Sequence, residues 1–368
     1  MAIVIVGAGP AGLAAAQALL GCGVRVRVLE RGEDVGHVWR NLYDSLRLHT
    51  GKHLSGLPGL AFDRTTPLFP GRQDFVRYLE QYRDRFRIPV EPNVDVHSAL
   101  PPMNGDGWTL QTSSGPIETE GVVFATGIVS NPRIPAIPGR EAFSGRVLHS
   151  IEYHRPAPFV GRRVLVVGCG NSGAEIGAEI AHAGARVTVA FRSGANVVPL
   201  TVFGLPIQYI AFMLRKLPRR ARQAVAGAIG RIGEIRRGPP VLPRPAHGPL
   251  DAIPLIGFHL VDAIRADLIR VRPALVSFTS SGVRFLDGTE EEFDDVILAT
   301  GFHAAVQPLG ARVSLDERGF ARRSDRVTSA DLPGLWFIGH NYDAAGGLRN
   351  IARDAPLIAQ RVATPRGR

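Results

Sequence analysis

Ile3-Val-Ile-Val6-Gly7-Ala-Gly9-Pro10-Ala11-Gly12 opens the chain, and Val164-Leu-Val-Val167-Gly168-Cys-Gly170-Asn171-Ser172-Gly173 repeats its design near the middle. Each β-branched run reads as a buried parallel strand, and the stretch after each turn, Ala11 to Leu20 and Glu175 to His182, reads as the helix it feeds. In such a turn the first glycine (Gly7, Gly168) permits the bend and the second (Gly9, Gly170) lets backbone approach a pyrophosphate. The third (Gly12, Gly173) lets helix pack on strand, and the helix N-terminus faces the phosphate charge. One chain with two such turns is expected to hold two dinucleotides.

The strand that follows each turn separates the two. Val24 to Leu29 ends at Glu30, about 20 residues past the turn, where a carboxylate accepts hydrogen bonds from ribose hydroxyls. This marks an adenine dinucleotide, read as FAD. Arg186 to Ala190 runs instead into Phe191-Arg192-Ser193, and an arginine there pairs with a 2′-phosphate that a carboxylate would repel. The second turn is therefore read as an NADPH site.

At 368 residues the chain exceeds the roughly 250–300 at which one core stops growing, so two domains are expected. The fold class expected is α/β: two Rossmann-like dinucleotide-binding domains, the NADPH domain inserted into the FAD domain. Residues 1–157 and 294–368 would form the FAD domain, and 158–293 the NADPH domain with a helical lid at about 200–250. Asp294 to Thr300 is read as the return to the FAD domain, because Leu298-Ala-Thr300-Gly301 parallels Phe124-Ala-Thr126-Gly127.

Further elements follow from pattern. Phe75, Leu79, Tyr82 and Phe86 fall at helical spacing within 73–86 and read as a core-facing helix. Pro116 to Ala125 reads as a strand, Phe258 to Ile269 as a helix, Trp336-Phe-Ile-Gly339 as the last buried strand delivering His340 and Asn341 toward the flavin, and Gly346-Gly-Leu348 as the opening of a final helix. Between Leu200 and Pro245 apolar residues adjoin Arg215, Lys216, Arg219, Arg220 and Arg222. Such a segment covers a substrate channel or lies on an anionic membrane, and the lid is the favoured reading.

The formal net charge of +10 suits anionic cofactors, a membrane surface or a phosphate-rich partner, and a nucleic-acid partner is not expected. Met1 leads directly into the first strand without a basic leader, so a cytoplasmic protein is expected. Cys22 and Cys169 form no C-x-x-C pair, and Cys169 reads as a packed thiol. The histidines show no metal-binding spacing, so no metal is expected. Electrons from NADPH thus have dioxygen, a quinone or an organic substrate as acceptor.

Phe143-Ser-Gly145-Arg-Val-Leu-His149-Ser-Ile-Glu-Tyr153 matches the F-x-G-x-x-x-H-x-x-x-Y/F pattern of class B flavin-dependent monooxygenases. Glu30-Arg31 with Gly36-His-Val-Trp39, the two Ala-Thr-Gly segments and Gly334-Leu-Trp-Phe-Ile-Gly339 also resemble that family, over nearly the whole chain. Leu46-Arg-Leu-His49, Gly168 to Gly173, Gly248-Pro-Leu250 and Val296 to Gly301 are most similar to its YUCCA-type indole-pyruvate branch. Relatives of the Baeyer-Villiger type usually carry Trp where Tyr153 stands.

The resemblance implies an FAD-containing, NADPH-dependent monooxygenase in which dioxygen forms a flavin hydroperoxide that oxygenates an amine, a sulfide or an aryl keto acid. It implies cofactor contacts at Gly7, Gly9, Pro10, Ala11, Gly12, Glu30, Arg31, Trp39, His49, Thr126, Gly127 and Gly339, and at Gly168, Gly170, Asn171, Ser172, Gly173, Arg192, Ser193, Thr300 and Gly301. Phe143, Gly145, His149 and Tyr153 would serve as a linker acting on interdomain geometry, and His49 and Asn341 as catalytic residues. His49 stands at or beside the place of the family's usual asparagine, and His37 replaces a glycine of the usual G-G-x-W. The competing readings are an NADPH oxidase or quinone reductase, and a non-catalytic redox sensor.

Overall fold

The computed structural model describes residues 2–102, 107–235, 238–243, 245, 253–341 and 346–363. The chain separates into two units: unit 1 comprises 1–41, 46–131 and 302–368, and unit 2 comprises 42–45 and 132–301.

Unit 1 begins with β1 (Ile3–Val6), whose four side chains are all buried, followed by α1 (Pro10–Gly21) and β2 (Val26–Leu29). Short helices α2 (His37–Arg40) and α3 (Lys52–Ser55) precede α4 (Arg72–Arg85). After β3 (Val90–Glu91) comes a three-stranded antiparallel sheet of β4 (Val96–Leu100), β5 (Trp108–Thr112) and β6 (Gly115–Thr119). Then β7 (Gly121–Phe124) pairs in parallel with β1, giving a five-stranded sheet completed by β20 (Leu335–Phe337), in order β20-β7-β1-β2-β3. The strand expected over 116–125 is therefore two strands in different sheets. The chain changes sheet at Gly121, where any Cβ would lie 2.7 Å from the Trp336 ring and 2.9 Å from the Gly334 carbonyl.

The helix read over 73–86 is α4, with Phe75, Leu79 and Tyr82 fully buried. Two of its tyrosines brace the preceding loop: Tyr78 Oη donates to Leu60 and accepts from the Leu57 N–H, both at 2.7 Å, and Tyr82 Oη donates to Pro58 at 2.6 Å. The terminal helix α9 (Gly347–Ala363) packs with α1 on one face of the sheet around Leu13, Leu19, Ile351 and Ile358.

Unit 2 is built on a second five-stranded parallel sheet, in order β15-β10-β9-β19-β8. Its strands are β8 (Arg146–His149), β9 (Arg163–Val167), β10 (Arg186–Ala190), β15 (Ile269–Arg272) and β19 (Asp295–Leu298). α5 (Asn171–His182) joins β9 to β10. A segment of β11 (Val197–Val198), the hairpin β12 (Thr201–Val202) and β13 (Leu205–Pro206), α6 (Ile207–Met213) and α7 (Arg219–Ile235) follows. β14 (Leu255–Ile256) and α8 (His259–Arg265) lead into β15. Three antiparallel strands, β16 (Leu275–Phe278), β17 (Gly282–Phe285) and β18 (Glu290–Glu292), precede β19.

Three expectations are corrected here. Asp294 to Thr300 does not return the chain to the first domain, because β19 pairs in parallel with both β9 and β8 inside the second sheet. Its Ala-Thr-Gly segment parallels that after β7 because each follows the strand paired with its own glycine-turn strand, β9 for one and β1 for the other. The boundary likewise precedes the linker motif, since β8 is the edge strand of the second sheet, with His149 opposite Leu298. The helix read over 258–269 ends at Arg265: Asp267 adopts φ 58°, a left-handed state that a short polar side chain tolerates and a continuing helix excludes. Gly248-Pro-Leu250 lies outside the described residues, as does part of the segment read as a lid over about 200–250.

Candidate cofactor sites

The two glycine turns have the same division of labour. In unit 1, Gly7 (φ 104°) has room for no side chain, because a Cβ would lie 2.8 Å from the Ala125 carbonyl oxygen, and a Cβ on Gly12 would lie 1.8 Å from that of Gly7. A Cβ on Gly9 would meet nothing within 4 Å. Gly7 and Gly12 thus hold the turn against the sheet, and Gly9 leaves backbone open at the start of α1, where first-turn N–H groups lack intrahelical acceptors. Pro10 supplies the first helical residue, where its missing N–H costs nothing, and Ala11 is buried.

Glu30 is buried at the end of β2, and its carboxylate accepts from Ala8 N–H at 2.7 Å and Gly32 N–H at 3.0 Å. The acid is thereby locked to the glycine turn, with lone pairs left for ribose hydroxyls. Beyond it, the His37 ring occupies the space a Gly32 Cβ would need, 2.1 Å away. The histidine that departs from the family pattern is accommodated by a glycine five residues earlier.

The rest of the first site is mixed. Gly339 (φ 82°) brings the end of β20 against Ala11, with a would-be Cβ 3.1 Å from the alanine methyl. Thr126 Oγ1 donates to the Ala305 carbonyl at 2.5 Å, and Gly127 turns at φ 66° with open space beside it. Arg31 is exposed, and His49 is half-buried. Trp39 stands edge-on to Phe75 at 4.4 Å and packs on the core of unit 1.

In unit 2 the geometry recurs. A Cβ on Gly168 (φ 113°) would lie 2.4 Å from the Ala299 carbonyl oxygen and one on Gly173 2.1 Å from that of Gly168, while Gly170 is open within 4 Å. Arg192 and Ser193 are exposed past β10, and no acid replaces Glu30 there. Thr300 Oγ1 donates to the Arg133 carbonyl at 2.5 Å, and Gly301 turns at φ 84°. Asn171 differs from expectation: its amide donates to Pro254 at 3.2 Å and accepts from the Ile256 N–H at 2.8 Å, bracing β14. Beside it, Ser172 lies in the first turn of α5. Cys169 is buried, its thiol pushed up by desolvation and directed at the Ser193 carbonyl, 3.5 Å away.

The linker residues are placed within unit 2. Phe143 packs against Phe278 at 5.2 Å, and Gly145 fits only because a Cβ would strike the Phe143 ring at 2.4 Å. His149 is buried, its Nδ1 accepting from the Ile151 N–H at 3.3 Å and its Nε2 lying 3.1 Å from the Gly301 carbonyl. Those partners assign the neutral Nε2–H tautomer, and burial lowers its proton affinity below the usual range. Tyr153 Oη donates to Glu179 on α5 at 2.8 Å; one turn earlier Glu175 accepts from Tyr43 at 2.5 Å. Burial first, then Glu175 and Glu179 for Tyr43 and Glu179 and Asp44 for Tyr153, raise both phenols above their ordinary range.

Asn341 lies in a polar network. Its amide oxygen accepts from Arg323 at 3.0 Å, and its amide nitrogen donates to the Arg326 carbonyl at 3.0 Å and to Asp354 at 2.5 Å. Both amide N–H groups and one lone pair of the oxygen serve this network, which also pairs fully buried Asp354 with Arg326 at 2.7 Å. Asn341 thereby ties the segment after β20 to Asp354 on α9. Its neighbour His340, read from the sequence as delivered toward the flavin beside it, is buried at 2% exposure between Phe320 and Phe337, and neither ring nitrogen is bonded to a protein group among the described residues.

An open groove of about 510 Å³ is lined by Lys52, His53, Leu57, Leu60, Phe62 and Arg64, none of them singled out by the motifs. Among the described residues, no cluster of three His, Cys, Asp or Glu side chains could hold a metal ion, and no helix is long and apolar enough to cross a membrane.

Two glycine turns, each at the head of a parallel sheet and each followed by a distinct strand end, define a dinucleotide-dependent oxidoreductase. Residues 4–198 match the family model described as pyridine nucleotide-disulphide oxidoreductase. The chain is 36% identical over 378 residues to indole-3-pyruvate monooxygenase YUCCA1 of Oryza sativa subsp. japonica, covering 97% of this chain and 90% of that protein. It is 34% identical to the probable indole-3-pyruvate monooxygenase YUCCA4 of Arabidopsis thaliana, covering 97% and 88%. A flavin-containing monooxygenase from Stenotrophomonas maltophilia shares the fold, with a TM-score of 0.77 at 24% identity over 98% of this chain and 97% of that one. The chain belongs to the class B flavin-dependent monooxygenases, close to the YUCCA branch. It is an FAD-containing, NADPH-dependent monooxygenase.

Proposed function

We propose that the turn of unit 1 holds the diphosphate of FAD and the turn of unit 2 that of NADPH, and that the enzyme oxygenates an aryl 2-oxo acid of the indole-3-pyruvate type. Each unit is read as a Rossmann-like dinucleotide-binding domain, with the NADPH domain inserted into the FAD domain. The observation that carries the cofactor assignment is the pair of open positions, Gly9 and Gly170, each between two glycines that the protein itself crowds. A methyl group would fill either opening, which is where a pyrophosphate must approach. The substrate class rests on the indole-3-pyruvate monooxygenases to which the chain is similar over 97% of its length.

Glu30 orients the first ribose by accepting its hydroxyls while two backbone N–H groups fix the carboxylate. Arg192 and Ser193 supply the charge and donor that distinguish a 2′-phosphate from a hydroxyl. Gly7 and Gly168 hold their turns against Ala125 and Ala299, so the N-termini of α1 and α5 face the phosphates. His149, kept neutral, ties the linker strand to Gly301 and sets the turn at the end of β19. When bound, FAD supplies the redox chemistry, accepting a hydride from NADPH and passing electrons to dioxygen. For a 2-oxo acid the overall balance is cleavage to the acid one carbon shorter plus carbon dioxide, with one oxygen atom entering the acid and the other leaving as water.

Mass-spectrometric product analysis of aerobic reactions with NADPH, offering indole-3-pyruvate, other aryl 2-oxo acids, amines and sulfides separately, tests the reading. The expected product carries one atom from labelled dioxygen and appears in proportion to NADPH consumed. N- or S-oxides alone would move the substrate to the heteroatom class. Stoichiometric hydrogen peroxide with every substrate would replace the monooxygenase reading with an oxidase.

A further inference from the structure

The β12–β13 hairpin ends in Phe203-Gly204, and Phe203 is 96% exposed while its backbone sits at φ 49°. A left-handed phenylalanine is unfavourable, and no packing within the chain offsets it. Around it in sequence, Leu205, Met213 and Leu217 are also exposed, and α6 contains no buried residue. Among the described residues, the hairpin tip and the end of α6 turn these apolar side chains to solvent. Phe203 least of all covers anything.

Charge distinguishes the partner. No aspartate or glutamate lies between Glu179 and Glu234, whereas Lys216, Arg219, Arg220, Arg222 and Arg231 follow the apolar hairpin and α6. Lys216, Arg219, Arg220 and Arg231 are exposed. On α7, Gly230 faces the sheet side, where a Cβ would lie 3.3 Å from the Val197 carbonyl, and Arg220, Ala224, Ala228 and Arg231 form an exposed ridge with Ile232 beside it. Small side chains between arginines let such a helix lie flat with its guanidinium groups at headgroup level.

We propose that this hairpin and helix surface of unit 2 docks on an anionic lipid bilayer, Phe203, Leu205 and Met213 entering the acyl boundary while Lys216, Arg219, Arg220 and Arg231 meet the headgroups. A second copy of this chain is the poorer occupant, since it would set one basic surface against another in a protein of net charge +10. Attachment is interfacial, with no spanning segment.

Co-sedimentation of the full-length, FAD-loaded protein with phosphatidylcholine vesicles, with and without phosphatidylglycerol, tests the proposal. Binding is expected only with phosphatidylglycerol and should weaken as salt rises. Phe203→Ser should lower partitioning roughly tenfold, and Arg219→Gln with Arg220→Gln by a comparable factor. Both variants should keep full flavin content, because these side chains are exposed. Should Phe203→Ser lose flavin, Phe203→Trp serves instead, and its emission should shift to the blue on anionic vesicles. Absence of binding to anionic vesicles, equal binding to neutral ones, or partitioning indifferent to Phe203→Ser would overturn the proposal. Light scattering that shows a dimer abolished by Phe203→Ser would assign the surface to a second copy.

Discussion

His149 Nε2 lies 3.1 Å from the carbonyl oxygen of Gly301, so the linker motif and the second Ala-Thr-Gly turn are one hydrogen-bonded unit. The imidazole must be neutral to keep its Nδ1 acceptor for Ile151, and desolvation lowers its proton affinity. The unfolded chain therefore binds the proton more readily than the folded one. Stability should be fullest above the unfolded value of about 6.5 and fall as pH drops below it. Thermal melts from pH 8 to pH 5 should show that decline, and His149→Gln, which can still donate to Gly301 but does not titrate, should show a shallower one. A slope unchanged by the substitution would remove His149 as a source.

His340 carries the same sign further. Burial pushes its proton affinity down to about 3, with Arg323 adding to the shift. Its unpartnered ring nitrogens cost folding energy that an apolar side chain would not. His340→Leu should raise apoprotein stability by about 1–3 kcal/mol and flatten the loss between about pH 6.5 and pH 3. A destabilised variant in denaturant titration would mean that the imidazole gains more from its surroundings than its contacts with Phe320 and Phe337 indicate.

The glycines separate folding from binding. Gly12→Ala should prevent folding of unit 1, because its methyl would overlap the Gly7 carbonyl. Gly9→Ala should leave the apoprotein melt nearly unchanged and sharply reduce retained FAD, measured by flavin absorbance after gel filtration. Gly170→Ala should leave flavin content intact and raise the KM for NADPH. Equal FAD loss from Gly9→Ala and Gly170→Ala would overturn the assignment of the two turns.

Arg192→Ala tests nucleotide choice. Loss of a charge-assisted contact to a 2′-phosphate should lower kcat/KM for NADPH roughly ten- to a hundredfold and leave that for NADH nearly unchanged. Steady-state kinetics with both nucleotides decides it, and equal losses would make Arg192 a mere surface charge.

Asn341→Ala removes one donor from the fully buried Asp354 carboxylate and should cost about 1–3 kcal/mol of stability. Asn341→Asp sets carboxylate against carboxylate and should cost more. Because Asn341 is placed as a positioning residue, kcat of correctly folded Asn341→Ala should fall little. A loss of several orders of magnitude in kcat without a change in melting would restore a direct chemical role.

Both glycine turns were legible in sequence because their requirements are local. Gly7, Gly12, Gly168 and Gly173 are needed within a few residues of a strand end, and the strands themselves are unbroken β-branched runs. Phe75, Leu79 and Tyr82 were legible for the same reason, as one face of one helix. Local similarity misled where partners are distant: Leu298 to Gly301 resembles Phe124 to Gly127 because each follows a strand beside a glycine-turn strand, and resemblance alone cannot name which sheet. Asn171 and Asn341 looked like ligand-facing amides, and each also bonds groups far away in the chain, Pro254 and Ile256 for one, Arg323, Arg326 and Asp354 for the other.

The amino-acid sequence by itself determined that this protein carries two glycine turns between strand and helix, one followed by Glu30 and the other by Arg192, since φ preference, strand propensity and charge are properties of neighbouring residues. Only the tertiary structure decided that β19 and the linker strand β8 complete the second sheet, that His149 is neutral against Gly301, and that Phe203 stands exposed in a strained conformation. These depend on burial and on hydrogen-bond partners as far as 152 residues away. Desolvation and pairing across such distances are set by how the chain packs, and no local pattern encodes them.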